Sequence, residues 1–357
     1  MHFATNAEGV VPAVDAASLL QIRELDEQGQ FEAAIAALRR MARNGDAAAM
    51  CLLGKRLLIG QNAPHDPGEA IRMLAAAVDR NHGEAAAQMA TLAAAGAWMA
   101  QDWSAALDFL VQGAEAGSLR AQDQLLLLAD ETSDARNTEV ARRSINWRAL
   151  RGEVNLQGWI NPAQNRRPVC ESPRVRLAQS FASLRVCRWL IGLARGKVRP
   201  AMMYNGKGSH FTAERTNSDY FFDIVGADVI VVATRQRIAS LLKMPTFAME
   251  PPQILHYAVG QQLKAHYDHI GGADGYGGER IATFLLYLNG DYEGGELDFP
   301  KVGLRLKAKA GDGIYFSNVD HAGLPDKLTL HCGLEVTKGE KWVFSQWIHD
   351  RTFTGSI

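Results

Sequence analysis

Apolar residues in the first part of the chain recur at the spacing of an α-helix. From about residue 16 to 130 they stand three or four positions apart, and the segment is rich in Ala and Leu and poor in β-branched residues. This spacing places the apolar side chains on one face of a helix, and the composition favours helix formation. The pattern therefore predicts that this part of the chain consists of amphipathic helices.

Two pairs of similar segments lie within this helical part. NGDAAAMCLLGKRLLIGQ (44–61) is similar to HGEAAAQMATLAAAGAW (82–98), and EAIRMLAAAVDRNHGEA (69–85) is similar to SAALDFLVQGAEAGSLRA (104–121), with a period of roughly 36 to 38 residues. A repeat of this length predicts stacked helix pairs in a solenoid. The segments resemble Sel1-like repeats, relatives of the tetratricopeptide family, over about 45–130, and this implies a concave surface for a protein or peptide partner. An Ala-rich helical bundle without a binding role would have the same composition.

The second half of the chain has a different composition. Polar residues and prolines interrupt the helical pattern over 131–175. The β-branched and aromatic segments that follow are typical of strands: ADVIVVAT (227–234), QILHYAV (253–259), ATFLLYLN (282–289) and WVFSQWI (342–348). A helix pair is also expected at about 181–196 and 228–243, and the second helix overlaps the first of these segments. Many short strands without regular intervening helices predict an antiparallel sandwich or barrel.

We therefore predict an α+β multidomain protein, in which a helical solenoid precedes a β-rich domain. The helical Sel1-like repeat domain is expected over 16–140, a linker over 141–178 and the β-rich domain over 179–357. The length of 357 residues agrees with two domains.

Composition and charge limit the binding partners and the cellular location that can be expected for the protein. Lys and Arg number 38 against 39 Asp and Glu, so the formal charge of −1 predicts no nucleic-acid partner. The four cysteines form no CxxC pair, which favours a reducing compartment. The first residues do not read as a signal peptide, and no stretch is apolar over the roughly 18 residues that a membrane span requires. We expect a soluble cytoplasmic protein that does not bind membranes.

The segment QQLKAHYDHI holds two candidate metal ligands, His266 and Asp268. In a strand, residues two positions apart leave the same face, so both side chains can converge on one ion. The candidate third ligand is His331, on a strand near the C-terminus that would lie beside the first in a closed sheet. Two imidazoles and one carboxylate leave coordination positions open, as in non-haem iron(II) oxygenases, whereas structural zinc takes a closed tetrahedral set.

Lys341 stands ten residues after His331. This separation keeps the same strand face in regular alternation, although the intervening Gly339 predicts a turn or bulge. A cation at this position can hold the distal carboxylate of a dicarboxylate co-substrate whose 2-oxo acid end chelates the metal.

Over about 180–350 the chain resembles the prolyl 4-hydroxylase-like branch of the 2-oxoglutarate and iron(II) dioxygenases. The segments that carry the resemblance are ERTNSDYF (214–221), RIASLLKMP (237–245), ILHYAVGQQLKAHYD (254–268), GGERIATFLLYLNGDYEGGELDFP (277–300), KAGDGIYF (309–316) and the stretch 331–347. It implies a double-stranded β-helix, or jelly roll, with iron on His266, Asp268 and His331 and the distal carboxylate on Lys341. By position it places Tyr257, Tyr287 and Thr283 around the co-substrate, and Arg280 and Trp347 toward the peptide groove.

The resemblance implies an enzyme, a procollagen-proline 4-dioxygenase-like hydroxylase of prolyl or other residues in a protein or peptide that the repeats recruit. Its cofactors would be Fe(II), 2-oxoglutarate and O₂, with L-ascorbate as a further candidate. Leu263 stands where prolyl hydroxylases commonly carry an aromatic residue, which favours a free amino acid or small metabolite as the substrate instead. The sequence also leaves open a non-catalytic repeat adaptor or sensor and, with least support, a zinc hydrolase.

Overall fold

The computed structural model describes residues 16–130, 142–161, 165–204, 209–271 and 278–353. The predicted boundary between residues 140 and 141 lies outside these ranges. The first described range is entirely built of helices and short turns. Its helices are α1 (Ala16–Glu27), α2 (Phe31–Arg43), α3 (Ala47–Ile59), α4 (Pro67–Val78), α5 (Gly83–Ala95), α6 (Trp103–Glu115) and α7 (Leu119–Ala129).

The helices repeat with a fixed period and pack in pairs. Helices α3, α5 and α7 begin 36 residues apart, and so do α4 and α6. Short loops bring α4 against α3 and α6 against α5, and a polar side chain caps the start of each of these helices. Small residues allow close approach, since a Cβ atom on Gly54 of α3 would lie 2.8 Å from Leu74 Cγ of α4. The predicted helical repeats are confirmed.

The rest of the chain adds four helices around a set of sixteen strands within the described residues. The helices are α8 (Trp147–Glu153), α9 (Leu156–Ile160), α10 (Leu184–Ala194) and α11 (Val229–Leu242). The strands are β1 (Arg166–Cys170), β2 (Val175–Ala178), β3 (Arg199–Pro200), β4 (Met203–Tyr204), β5 (Ser209–His210), β6 (Ser218–Phe221), β7 (Gln253–Tyr257), β8 (Leu263–His266), β9 (Arg280–Tyr287), β10 (Glu293–Gly294), β11 (Leu297–Phe299), β12 (Leu304–Leu306), β13 (Gly313–Ser317), β14 (His331–Gly333), β15 (Val336–Lys338) and β16 (Lys341–His349).

Two antiparallel sheets face each other across a shared interior. The larger has the order β1-β2-β13-β9-β16-β7-β6-β3 and the smaller the order β12-β11-β14-β8. Phe316 on the larger sheet contacts Phe299 and His331 on the smaller one, at 5.3 and 4.8 Å between ring centroids. This arrangement is the predicted jelly roll, and the fold class is confirmed.

Two expectations from the sequence differ from the structure. The predicted linker contains β1 and β2, which extend the larger sheet because Val175 and Leu177 alternate into its interior opposite β13. The segment 227–234 starts a helix and is not a strand. Asp228 caps that helix by accepting a hydrogen bond from the Val231 N–H at 3.0 Å, and burial on nearly all sides explains its β-branched composition.

The repeats and the jelly roll share a buried interface. Gln88 of α5 donates to the Ile224 carbonyl at 2.9 Å, and Arg120 of α7 donates to the Ala227 carbonyl at 2.6 Å. Gln124 of α7 accepts a hydrogen bond from the Val229 N–H at 2.9 Å. Ile224 itself is buried among apolar residues of the repeats. The loop that leads into α11 is therefore held by the repeat helices.

Within the described ranges no helix combines the length and the apolar character needed to cross a membrane.

Replacing Gln124 by Met should destabilise the protein. The Val229 N–H would lose its acceptor in a buried position, which costs about 1–3 kcal/mol of the free energy of unfolding. Urea unfolding should show this as a lower midpoint with an unchanged slope. Gln112→Met, on an exposed position of α6, is the matched control. Equal midpoints for the two variants would contradict the role given to Gln124.

Candidate active site

Three metal-ligating side chains meet between β8 and β14. His266 is the last residue of β8, and His331, the first residue of β14, stands directly opposite it in the antiparallel register. Asp268 lies two residues beyond the end of β8, in the turn and not in the strand. One ligand atom from each residue lies within 4.8 Å of the others. The structure thus brings together the three residues that the sequence singled out.

Backbone carbonyls orient both imidazoles. His266 Nδ1 lies 2.9 Å from the Lys264 carbonyl, and His331 Nδ1 lies 2.9 Å from the Thr329 carbonyl. A carbonyl only accepts, so each Nδ1 carries the proton and each Nε2 keeps its lone pair. Both Nε2 atoms face Asp268, at 3.5 and 3.7 Å from its carboxylate oxygens. This donor set, with its orienting hydrogen bonds, fits a divalent metal ion.

Asp268 is held ionised in a buried position. Burial raises its pKa, but His331 and His266 in their protonated forms, together with Arg280, outweigh burial and hold the pKa well below its usual range. Thr283 on β9 donates to the carboxylate at 2.6 Å, and Asn318 donates to the Thr283 hydroxyl at 3.1 Å. Thr283 therefore supports a metal ligand directly.

Lys341 is the first residue of β16 and is almost fully buried. It faces the same interior between the two sheets as the metal ligands. Its ammonium donates to the Gly295 carbonyl at 2.7 Å and lies 4.9 and 5.6 Å from the ring centroids of Tyr257 and Tyr287. Burial lowers its pKa to about 8. Among the described residues no carboxylate lies within ion-pair distance of it, and the buried Tyr287 hydroxyl has no hydrogen-bond partner. A cation and an unpaired hydroxyl together suit a carboxylate.

Gly295 makes room for this ammonium. Its φ of +66° lies in the left-handed region, and a Cβ atom there would come within 3.2 Å of Lys341 Cδ. Gly295 of the GGEL segment thus leaves space for the Lys341 side chain.

A second polar cluster lies elsewhere in the cavity, around Glu250. Arg280 donates to this carboxylate at 3.0 Å through Nη2, and His349 Nε2 lies 2.7 Å from its other oxygen. The Arg280 guanidinium also stacks on Trp347, 3.6 Å from the ring centroid. Burial raises the pKa of Glu250, but His349 and Arg280 outweigh it, so the net shift is downward.

Sequence reasoning found Arg280 and Trp347 but missed Glu250, His349 and Asn318. Strand alternation offered a signal for His349, since it follows Trp347 by two positions in β16. Glu250 lies in an irregular segment and Asn318 just after β13, so no periodicity marked either residue.

One cavity of about 740 Å³ is lined by the three metal ligands, by Lys341 and its two tyrosines, by Thr283 and by the cluster around Glu250. Asn318 is not part of this lining. Every second residue of β16 lines this cavity, namely Lys341, Val343, Ser345, Trp347 and His349. Phe221, Met202 and Tyr267 also border it and are 41–48% exposed, so the cavity opens to the surface. A cavity with convergent polar groups, apolar walls and an open rim is typical of a ligand site.

Comparisons with known proteins agree with this geometry. The family model described as the 2OG-Fe(II) oxygenase superfamily matches residues 252–349. Prolyl 4-hydroxylase 13 of Arabidopsis thaliana is 34% identical over 203 residues, which are 51% of this chain and 73% of the relative. Probable prolyl 4-hydroxylase 4 of the same plant is 31% identical over 220 residues, 55% of this chain and 73% of the relative.

Among solved structures, the viral collagen prolyl hydroxylase vCPH from Paramecium Bursaria Chlorella virus-1, in its 2OG complex, is 28% identical. The alignment covers 50% of this chain and 98% of that chain, with a TM-score of 0.40.

The chain is a 2-oxoglutarate- and iron(II)-dependent oxygenase. Within that class it belongs to the prolyl 4-hydroxylase family, as the identity to the plant proteins over most of their length shows.

Replacing Thr283 by Val should weaken metal binding. Valine has nearly the same shape but leaves Asp268 without its buried hydroxyl donor, and loss of such an orienting bond costs about 10–100-fold in metal affinity. Anaerobic titration with Mn(II) or Fe(II) measures the affinity. Thr283→Ser keeps the hydroxyl and should bind like the wild type, and an unchanged affinity in the valine variant would show that the bond does not matter.

Proposed function

We propose that the chain hydroxylates a prolyl residue of a protein or peptide, with 2-oxoglutarate and O₂ as co-substrates. The observation that carries this proposal is a single cavity with a metal-ligand set at one place and, at another, a buried ammonium that has no carboxylate partner among the described residues. Iron(II) with 2-oxoglutarate supplies the oxidising chemistry, in which the co-substrate becomes succinate and CO₂ and a C–H bond gains a hydroxyl group.

The residues divide into three groups in this proposal. His266, Asp268 and His331 hold the iron, and Thr283 keeps the Asp268 carboxylate in place. Lys341, Tyr257 and Tyr287 bind the distal carboxylate of 2-oxoglutarate, because they provide a buried positive charge and a free hydroxyl. Arg280 and Trp347 form a rigid, stacked wall for the substrate, and Glu250 fixes the guanidinium.

The rim favours a peptide over a free amino acid or small metabolite. A small metabolite would need a closed pocket, whereas here exposed apolar side chains surround the opening. Leu263, which replaces an aromatic residue of the family pattern, lies buried in the cavity lining and adds an apolar contact.

The repeats would recruit the protein substrate or a partner. The sides of α5 and α7 that hold the α11 loop are already occupied, so recruitment would use the remaining surface of the solenoid. A cytoplasmic location, supported by cysteines that form no disulfide within the described residues, and the use of L-ascorbate are part of the same proposal.

Anaerobic addition of iron(II) and 2-oxoglutarate should produce the weak metal-to-ligand charge-transfer band of the chelate in the visible spectrum. His266→Ala should abolish the band because one of three ligands is lost, and Lys341→Ala should weaken it because the distal carboxylate loses its partner. Lys338→Ala, which removes an exposed lysine paired with Glu293, is the matched control. The proposal would be contradicted if folded, iron-loaded wild-type protein showed no such band.

Affinity for 2-oxoglutarate should fall at alkaline pH. With its pKa lowered to about 8, Lys341 is charged below that pH and neutral above it, so the carboxylate loses its counter-charge as the pH rises. We expect the Kd to rise by up to about tenfold per pH unit above pH 8. Lys341→Arg keeps its charge and should show a flatter profile. The same pH profile in both proteins would assign the effect to another group.

A further inference from the structure

Gln253 is a buried amide without a hydrogen-bond partner. It lies on β7, is 0% exposed and lines the cavity, yet within the described part of the chain neither its Nε2 nor its Oε1 has a partner. Buried side-chain amides are nearly always paired, because an unpaired one loses its bonds to water without replacement. The fold therefore keeps a group here that weakens its own stability.

The strand register places this amide away from the co-substrate end. Gln253, Leu255 and Tyr257 alternate on the cavity face of β7, and Tyr257 stands directly opposite Lys341. Gln253 lies four residues from Tyr257 along the strand, about 13 Å away. Directly opposite Gln253 stand Ser345 on β16 and Phe221 on β6.

The residues around Gln253 favour a substrate group without a net charge. The nearby cation Arg280 is already paired with Glu250, and it is the amide of Gln253 that has no partner. The Trp347 indole N–H, two residues beyond Ser345 on β16, is a second buried donor without a partner among the described residues. A carboxamide offers one donor group and one acceptor, which matches a backbone peptide group with its N–H and C=O.

We propose that Gln253 is a substrate-binding residue that hydrogen-bonds a backbone peptide group of the substrate next to the reacting residue. This inference rests on the proposed peptide hydroxylation and specifies how the chain is recognised. Phe221, its neighbour on β6, is 48% exposed, so this row of the cavity is reached from the rim. Three rotatable side-chain bonds let the amide turn toward an incoming peptide.

The test compares Gln253→Met with the wild type in the full chain, using a synthetic proline-rich peptide. Methionine keeps the length and removes both hydrogen-bonding groups. We expect the KM for the peptide to rise about tenfold or more, while the KM for 2-oxoglutarate in peptide-free turnover stays unchanged. The Tm should be equal or higher, since an unpaired buried amide has been removed.

Gln124→Met is the matched control, because its buried amide is bonded on both sides and lies in the repeats. That variant should lower the Tm and leave the peptide KM unchanged. The inference would be overturned if Gln253→Met kept the wild-type peptide KM, or if it lowered the Tm as Gln124→Met does. Peptide hydroxylation by the wild type would still support the proposed function in that case. A wild-type protein that shows the charge-transfer band but hydroxylates no peptide would overturn both.

Discussion

The antiparallel register of β16 with β7 and β9 determines where each cavity side chain lies. Because residues alternate across a strand, one strand carries the lysine, the tryptophan and the histidine of the cavity at intervals of two or more positions. A slip of one residue would turn all of them into the opposite face of the sheet. The smaller sheet then adds the metal ligands through one further register, that of β8 with β14. Distances between chemical groups are therefore set by backbone pairing and not by flexible side chains.

Much of this was accessible from the sequence, for physical reasons. The repeat period and the helical apolar spacing are local properties of the sequence. The spacing of His266 and Asp268 marked two metal ligands, although Asp268 lies in the turn after β8. Lys341 was found by its distance from His331, although the two residues lie on strands of different sheets and not on one strand face. The polar groups that support the site were not accessible, since Glu250 and Asn318 reach it through tertiary packing alone. The segment 227–234 was ambiguous because a fully buried helix and a buried strand share the same apolar composition. The edge strand β1 and its neighbour β2 were read as a linker because turn residues and prolines surround them.

The charged and polar side chains of the cavity differ in whether other residues of the protein pair with them. Asp268 and Glu250 each have cationic or hydrogen-bonding neighbours. In the described structure Lys341 donates to one backbone carbonyl but has no carboxylate partner, and the Tyr287 hydroxyl has no hydrogen-bond partner. The hydroxyl and amide that hold the metal ligand Asp268 are bonded within the protein, whereas the Tyr287 hydroxyl and the Gln253 amide, which line the cavity, have no partner among the described residues.

The repeats meet the jelly roll through α5 and α7, at the carboxyl-terminal end of the described solenoid. In a solenoid each unit contacts mainly its neighbours, so whole 36-residue units can be gained or lost at the amino-terminal end while the docking helices stay in place. We therefore expect two rates of sequence change in this architecture. The docking units should change only together with the loop before α11, whereas the distal units can diversify in number and surface without altering these docking contacts.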